Sequence, residues 1–243
     1  MSMKIALIGY GKMGKAVESA AIKSNCQVFV ASKSSLEPID LDVLKSSDVA
    51  IEFTRPDAVV TNLLCCLESN IPVVTGTTGW NSEFENIHDL FTSKGGCLFS
   101  ASNFSIGMNM VFELNALLSK WISKYDEYHP VIDEIHHLQK IDKPSGTALT
   151  LAADLIKNHN HYLTWKLHSE GEAIPEKNLP IHAHRKEGVV GTHEVSWKSP
   201  IDSISIKHEA YSREGFATGA LAAAKWVIGK KGVFGMKDML FSK

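Results

Sequence analysis

Short apolar runs recur through the first part of the chain, each followed by a polar loop and then by residues at helical spacing. Lys4 to Ile8 precedes a glycine turn and a helix from about Lys15 to Ser24. Gln27 to Ala31 and Asp48 to Phe53 are the next strand-like runs, and a helix over Ala58 to Leu67 follows Pro56. Ile71 to Val74 and Cys97 to Ser100 complete the series. Strands alternating with helices predict an α/β fold, a doubly wound parallel sheet with right-handed crossovers. The pattern then changes. Ile106 to Tyr125 reads as one long helix, with Met110, Leu114, Leu117, Leu118 and Trp121 at core spacing. After Trp165 come short β-rich runs, at Ile181 to Ala183, Gly188 to Val190, Gly191 to Lys198 and Ser203 to Glu209. These predict an open, antiparallel or mixed sheet with at least one helix on a face, hence a smaller α+β second domain. Ser212 to Phe216 reads as a turn, and Ala217 to Lys230 as an alanine-rich helix.

The whole chain narrows this picture. Its 243 residues allow one large or two modest domains, and 44% apolar with 21% charged residues suits a normal core. A net charge of −2 gives no general attraction to nucleic acid, so any anion site must be local. The four cysteines, Cys26, Cys65, Cys66 and Cys97, lack metal-ligand spacing and read as free thiols in a reducing cytosol. No run is long enough to span a membrane and no cleavable signal is seen, so a soluble, cytoplasmic protein is expected.

Candidate chemistry lies in the loops. Gly9-Tyr10-Gly11-Lys12-Met13-Gly14 stands between a strand and a helix, the context in which such a motif binds a dinucleotide. Gly9 permits the turn, Gly11 lets backbone approach a pyrophosphate, and Gly14 lets helix pack on strand. The other reading is a glycine turn made for packing alone. After the second strand the chain reads Ser32-Lys33-Ser34-Ser35, with no acid before Glu37 to bond a ribose 2′-hydroxyl. A cation and hydroxyls there suit a 2′-phosphate, against the plainer reading of a solvated loop. Phe53-Thr54, Gly76-Thr77-Thr78 and Ala101-Ser102-Asn103-Phe104 close the later strands at their carboxyl ends, where ligands of such sheets bind.

The densest segment is Glu134 to Leu149. A strand end is broken by Pro144 and Gly146, and Ser145 or Thr147 caps a helix running to Lys157 or so. The N–H groups at that helix start attract anions. His136, His137, Lys140 and Lys143 come to the same neighbourhood, so the segment pairs carboxylate or phosphate donors with groups that move protons. Adjacent histidines on a regular strand face opposite ways, so both serve one site only if the strand ends there. His159 and His161 lack a carboxylate or thiol to complete a metal site and read as a solvated turn; no metal is expected. His182, His184 and Arg185 read as polar sheet-face residues, Arg185 being the best of the three as a substrate contact.

Glu134, His136, His137, Lys140, Asp142 and the run Pro144-Ser145-Gly146-Thr147-Ala148 resemble the signature of the 4-hydroxy-tetrahydrodipicolinate reductase (dihydrodipicolinate reductase) family. Phe-Thr-x-Pro, Gly-Thr-Thr-Gly and Asn-Phe-Ser-x-Gly follow the family's order too, so the resemblance covers nearly the whole chain. Two features depart from it: the glycine loop is tighter than in many members, and the acid after the second strand is missing. The resemblance implies a Rossmann-like dinucleotide-binding domain over residues 1–105 and 216–243, and a substrate-binding and tetramerisation domain over 106–215. It implies NADPH- or NADH-dependent reduction of a cyclic dicarboxylate in diaminopimelate and lysine biosynthesis, by a homotetramer. Lys140 would be the proton donor and His136 a donor or acceptor. His137, Ser145, Gly146 and Thr147 would hold the substrate carboxylates, and the glycine loop and the later strand-end loops would line the cofactor. Lys33 would favour NADPH mildly. Two rivals are a related dehydrogenase of another amino or keto acid and a non-catalytic nucleotide-sensing module. Cys97 in a strand and Cys65–Cys66 in a helix argue against a thiol-dependent semialdehyde dehydrogenase.

Overall fold

The computed structural model describes residues 2–168 and 172–242. The chain divides into two compact units, residues 1–106 with 214–243, and residues 107–213.

The first unit is built on six strands: β1 (Lys4–Ile8), β2 (Gln27–Ser32), β3 (Val49–Glu52), β4 (Val73–Thr75), β5 (Cys97–Ser100) and β11 (Gly232–Phe234). They form one sheet in the order β11-β5-β4-β3-β1-β2, every pairing parallel. Alternation sorts its side chains into two cores. Ile5, Leu7, Val49, Ile51, Val74 and Phe99 face α1 (Lys12–Lys23) and α7 (Glu214–Val227). Ala6, Ile8, Ala50, Val73 and Leu98 face α3 (Val59–Glu68) and α4 (Phe84–Lys94), with the short α2 (Leu41–Lys45) beside them. Ala217, Ala220, Ala223 and Ala224 are fully buried, so small side chains bring α7 close to the sheet. The predicted helix start at Lys15 is corrected to Lys12, because Gly11 is the N-cap and the tight glycine loop runs straight into the helix. Likewise α7 starts at Glu214, inside the segment expected to be a turn.

The second unit carries α5 (Ile106–Ile122) and a five-stranded sheet, β6 (His129–His136), β7 (Thr164–Leu167), β8 (Asn178–Arg185), β9 (Gly191–Lys198) and β10 (Ser203–Ala210), in the order β10-β9-β6-β8-β7. The sheet is mixed, since β6 pairs parallel with β8 and antiparallel with β9. One face is covered by α6 (Gly146–Asn158), whose Ala148, Leu151, Ala152 and Leu155 meet Ile132, Leu179, Ile181, Val195 and Trp197. Gly188 to Val190 is not a strand: Gly188 has φ +76° and the stretch turns the chain from β8 into β9. His159 is not in a solvated turn either. It is buried at the C-cap of α6 and stacks on Trp197 at 5.9 Å.

Candidate active site

β6 sits at the centre of its sheet and alternates strictly, with Ile132, Glu134 and His136 inward and Asp133 and Ile135 on the other face. The strand ends at His136, and His137 to Pro144 cross to the cap of α6, Ser145. Glu134 is fully buried. The Ser145 amide donates to both its oxygens, at 3.1 and 3.0 Å. Arg185 donates to Glu134 Oε1 at 3.4 Å, and its other N–H groups reach the carbonyls of Lys140, Asp142 and His184. Arg185 thus pins the loop from within, a role its place in the sequence did not show.

Electrostatics follow from this burial. Burial pushes the Glu134 carboxyl up, but His193 and Ser145 and the nearby His136 outweigh it and hold the group at about 2. For His136, burial and then the neighbouring His193 push the imidazole down to about 4, against the pull of Glu134. His136 is therefore neutral near pH 7. Its ring packs where a Cβ on Gly191 would stand 3.2 Å from it, so the glycine makes room for it. The Nδ1 atoms of His136 and His137 are buried without a hydrogen-bond partner among the described residues.

On the open side, Lys140 Nζ bonds Asp142 at 2.9 Å. His137, Leu138 and Gln139 line a cleft of about 470 Å³ together with Glu187 and Arg213. Gly146 is exposed, and a Cβ there would meet nothing within 4 Å. Thr147 is half-buried, and the Ser145 hydroxyl accepts the Ala148 N–H at 3.2 Å. The structure thus brings His136, His137, Lys140, Ser145, Gly146 and Thr147 into one loop and helix start. Of the other candidates, His182 bonds Asp133 at 2.8 Å and His168 at 2.9 Å, away from that loop on the opposite sheet face. Glu134, His136 and His193 place ligand-type atoms within 4.8 Å of one another. Both Glu134 oxygens are already bonded and a guanidinium lies beside them, so the trio does not suit a cation.

The first unit gathers the other candidates at the carboxyl ends of its strands. Gly9 has φ +93°, and a Cβ there would collide with the Phe53 carbonyl. A Cβ on Gly76 would collide with the Phe53 ring. Above Gly11 there is open space, and no side chain caps α1, so its first amides face outward there. Lys12 is exposed, and Tyr10 and Met13 are half-buried. Gly9 and Tyr10 donate to the carbonyls of Ser32 and Lys33, joining the glycine turn to the end of β2. These features fit a dinucleotide, whose pyrophosphate needs close backbone and outward N–H groups.

Sequence reasoning missed Glu52, also fully buried. Its carboxylate accepts from Thr54, from Thr75 Oγ1 at 2.5 Å, from Thr77 Oγ1 at 3.1 Å and from Asn62 at 3.4 Å. One acid inside an apolar strand, with hydroxyls at the two loop ends, was the signal. It ties Phe53–Thr54 to Gly76–Thr78, and Phe53 meets Phe104 edge to face at 5.8 Å. Thr78 and Ser102 are exposed, Ala101 is half-buried, and Asn103 Oδ1 accepts the Ser105 amide. Ser32 is turned inward, donating to the carbonyls of Ser34 and Glu37. The turn after β2 brings Glu37 back to the strand end, where its Oε2 accepts the Lys33 amide at 3.3 Å.

A parallel, doubly wound sheet with a glycine-rich first turn, and a second unit holding a lysine–histidine loop at a helix start, define a two-domain oxidoreductase. Comparison with known proteins gives the family. Residues 3–104 match the model "Dihydrodipicolinate reductase, N-terminus" and residues 107–240 the model "Dihydrodipicolinate reductase, C-terminus". A 4-hydroxy-tetrahydrodipicolinate reductase of Christiangramia forsetii is 41% identical over 98% of this chain and 98% of its own length. One of Clostridium tetani is 36% identical over 100% and 98%. Among solved structures, a dipicolinate-bound dihydrodipicolinate reductase from Paenisporosarcina sp. TG-14 shares the fold, with TM-score 0.79 at 22% identity, covering 99% of this chain and all of that one. The chain belongs to the dihydrodipicolinate reductase family, enzymes of lysine and diaminopimelate biosynthesis that use a nicotinamide cofactor. The resemblance read from the signature segment is borne out, and neither rival is favoured. No helix among the described residues is long and apolar enough to cross a membrane.

Proposed function

We propose that the loop from His136 to Thr147 is where this reductase converts 4-hydroxy-tetrahydrodipicolinate to tetrahydrodipicolinate. The observation that carries this is one loop that brings Lys140 and two histidine nitrogens without hydrogen-bond partners to the start of α6, whose Ser145 amide is held by the buried Glu134 carboxylate. On this reading residues 107–213 are the substrate-binding domain, and residues 1–106 with 214–243 the dinucleotide-binding one. Bound by the glycine turn and the Phe53–Thr54, Gly76–Thr78 and Ala101–Phe104 loops, reduced NADPH or NADH supplies the hydride.

The chain's own residues do the rest. The 4-hydroxyl leaves as water, which creates a carbon–carbon double bond conjugated to the ring imine. Hydride then adds to the carbon that lost the hydroxyl, electron density moves onto the conjugated nitrogen system, and one proton completes the product. Lys140 gives it from Nζ, exchanging Asp142 for the substrate. His136, neutral at working pH, is an acceptor that orients the ring and not the acid. His137 and the helix start at Gly146 and Thr147, capped by Ser145, hold the carboxylates, where N–H groups and the helix dipole favour negative charge. Lys33 favours a 2′-phosphate and Glu37 opposes it, so both cofactors are used, with NADPH favoured only mildly. A homotetramer in the cytoplasm completes the proposal, supported by the apolar groups left exposed on the second unit, Trp121, Tyr125 and Ile204 among them. The test is cofactor oxidation followed by absorbance, with substrate generated by the preceding synthase. Oxidation that needs the substrate supports the proposal. Oxidation equally fast without it, or none, contradicts it.

A further inference from the structure

Every polar group of Ser145 points into the protein. Its amide is on Glu134 and its carbonyl accepts the Leu149 N–H at 3.0 Å. Its hydroxyl accepts from Ala148 and lies 3.0 Å from His193 Nε2. The residue is only 2% exposed. Its neighbour Gly146, by contrast, is exposed and faces open space. His193 is the direct cross-strand partner of Glu134, β9 against β6, so both side chains stand on the same sheet face under the start of α6. His193 Nε2 is also 3.7 Å from Glu134 Oε2.

A serine cap with only Ala148 as partner could rotate away, because a hydroxyl turns about one soft bond. His193 removes that freedom by occupying the second hydrogen-bonding direction of the oxygen. We infer that His193, together with Glu134, is a positioning residue: it holds Ser145 as the cap, so that the Gly146 and Thr147 amides and the Thr147 hydroxyl are presented to the substrate while Ser145 itself is not a ligand. This rests on the reading of the start of α6 as the carboxylate site.

Two substitutions of like chemistry and different reach test it. The amide nitrogen of His193→Gln falls where Nε2 stands and can still reach Ser145; that of His193→Asn cannot. His193→Asn should raise KM for the substrate about tenfold, the loss of one buried hydrogen bond, with kcat and NADPH affinity within about twofold. His193→Gln should stay within about threefold of wild type, since it keeps the bond. Should His193→Asn melt too low to assay, Ser145→Ala removes the same contact together with the cap bond to Ala148 and should give at least that rise. An unchanged KM in His193→Asn, or equal losses in both variants, overturns the inference. Thr147→Val measured alongside separates the two ideas. If it raises KM and His193→Asn does not, the helix-start reading stands and the role of His193 falls. If neither raises KM, the helix-start reading fails and the inference falls with it.

Discussion

The amide of Ser145 lies astride the carboxylate of Glu134, 11 residues earlier, at 3.1 and 3.0 Å from its two oxygens. Strand end and helix start are thereby tied by a charge that persists far into acid, since Glu134 is held at about 2 against an ordinary 4.5. The stability this gives is present above about pH 4.5 and lost as pH falls toward about 2. His136 is likewise held at about 4 against an ordinary 6.5, so the unfolded chain takes that proton first, and stability falls as pH drops from 6.5 to 4. The two windows run together into continuous acid lability. Urea unfolding across this range should show His136→Gln losing less stability than wild type between pH 6.5 and 4, with the two curves parallel below that. Parallel curves throughout would mean that His136 is not held neutral.

Anion binding at the start of α6 makes the second prediction. Pyridine-2,6-dicarboxylate, a planar relative of the substrate, should compete with substrate. In Thr147→Val its inhibition constant should rise roughly tenfold, one charge-assisted hydrogen bond of about 1.5 kcal/mol. Inhibition competitive with cofactor alone would move the dicarboxylate elsewhere.

The proposed cofactor choice would rest on two opposed charges at the end of β2. Lys33→Glu should turn the preference to NADH, chiefly through a higher KM for NADPH. Glu37→Gln should move it toward NADPH, by roughly tenfold or less because both side chains are exposed. Comparing kcat/KM for both cofactors in the three proteins decides it. Unchanged ratios in both variants would leave Lys33 and Glu37 as solvated loop residues.

Assembly can be probed on the second unit. Leu118, Trp121, Tyr125, Tyr128 and Ile204 line an apolar cleft of about 350 Å³. Trp121→Glu with Ile204→Glu should lower the solution mass from a tetramer's in sedimentation, because buried charge without a partner is costly. A wild type sedimenting as a monomer would remove this part of the proposal.

Much of this was legible in the residues, for identifiable reasons. The parallel sheet follows from short apolar runs closed by glycine and hydroxyl loops, and β5 and β9 fall where their patterns place them. The signature loop was legible because Pro144, Gly146 and the good helix formers after it punctuate the chain strongly. What sequence could not show were contacts made across the fold. Arg185 reaches Glu134, and His193 reaches both Ser145 and Glu134, only through strand pairing, and in one dimension they look like ordinary members of alternating strands. Glu37 stands five residues beyond Ser32 in sequence, and a tight turn returns it to the Lys33 amide. Glu52 was hidden by the apolar run around it.

The central claim is that the His136–Thr147 loop does the chemistry, with Lys140 as its proton donor. Its most direct test is one preparation of Lys140→Ala assayed for both NADPH binding and turnover of synthase-generated substrate. Binding should stay within about twofold of wild type while kcat falls on the order of a hundredfold, the usual cost of losing a general acid. Unchanged binding with unchanged turnover would contradict the account.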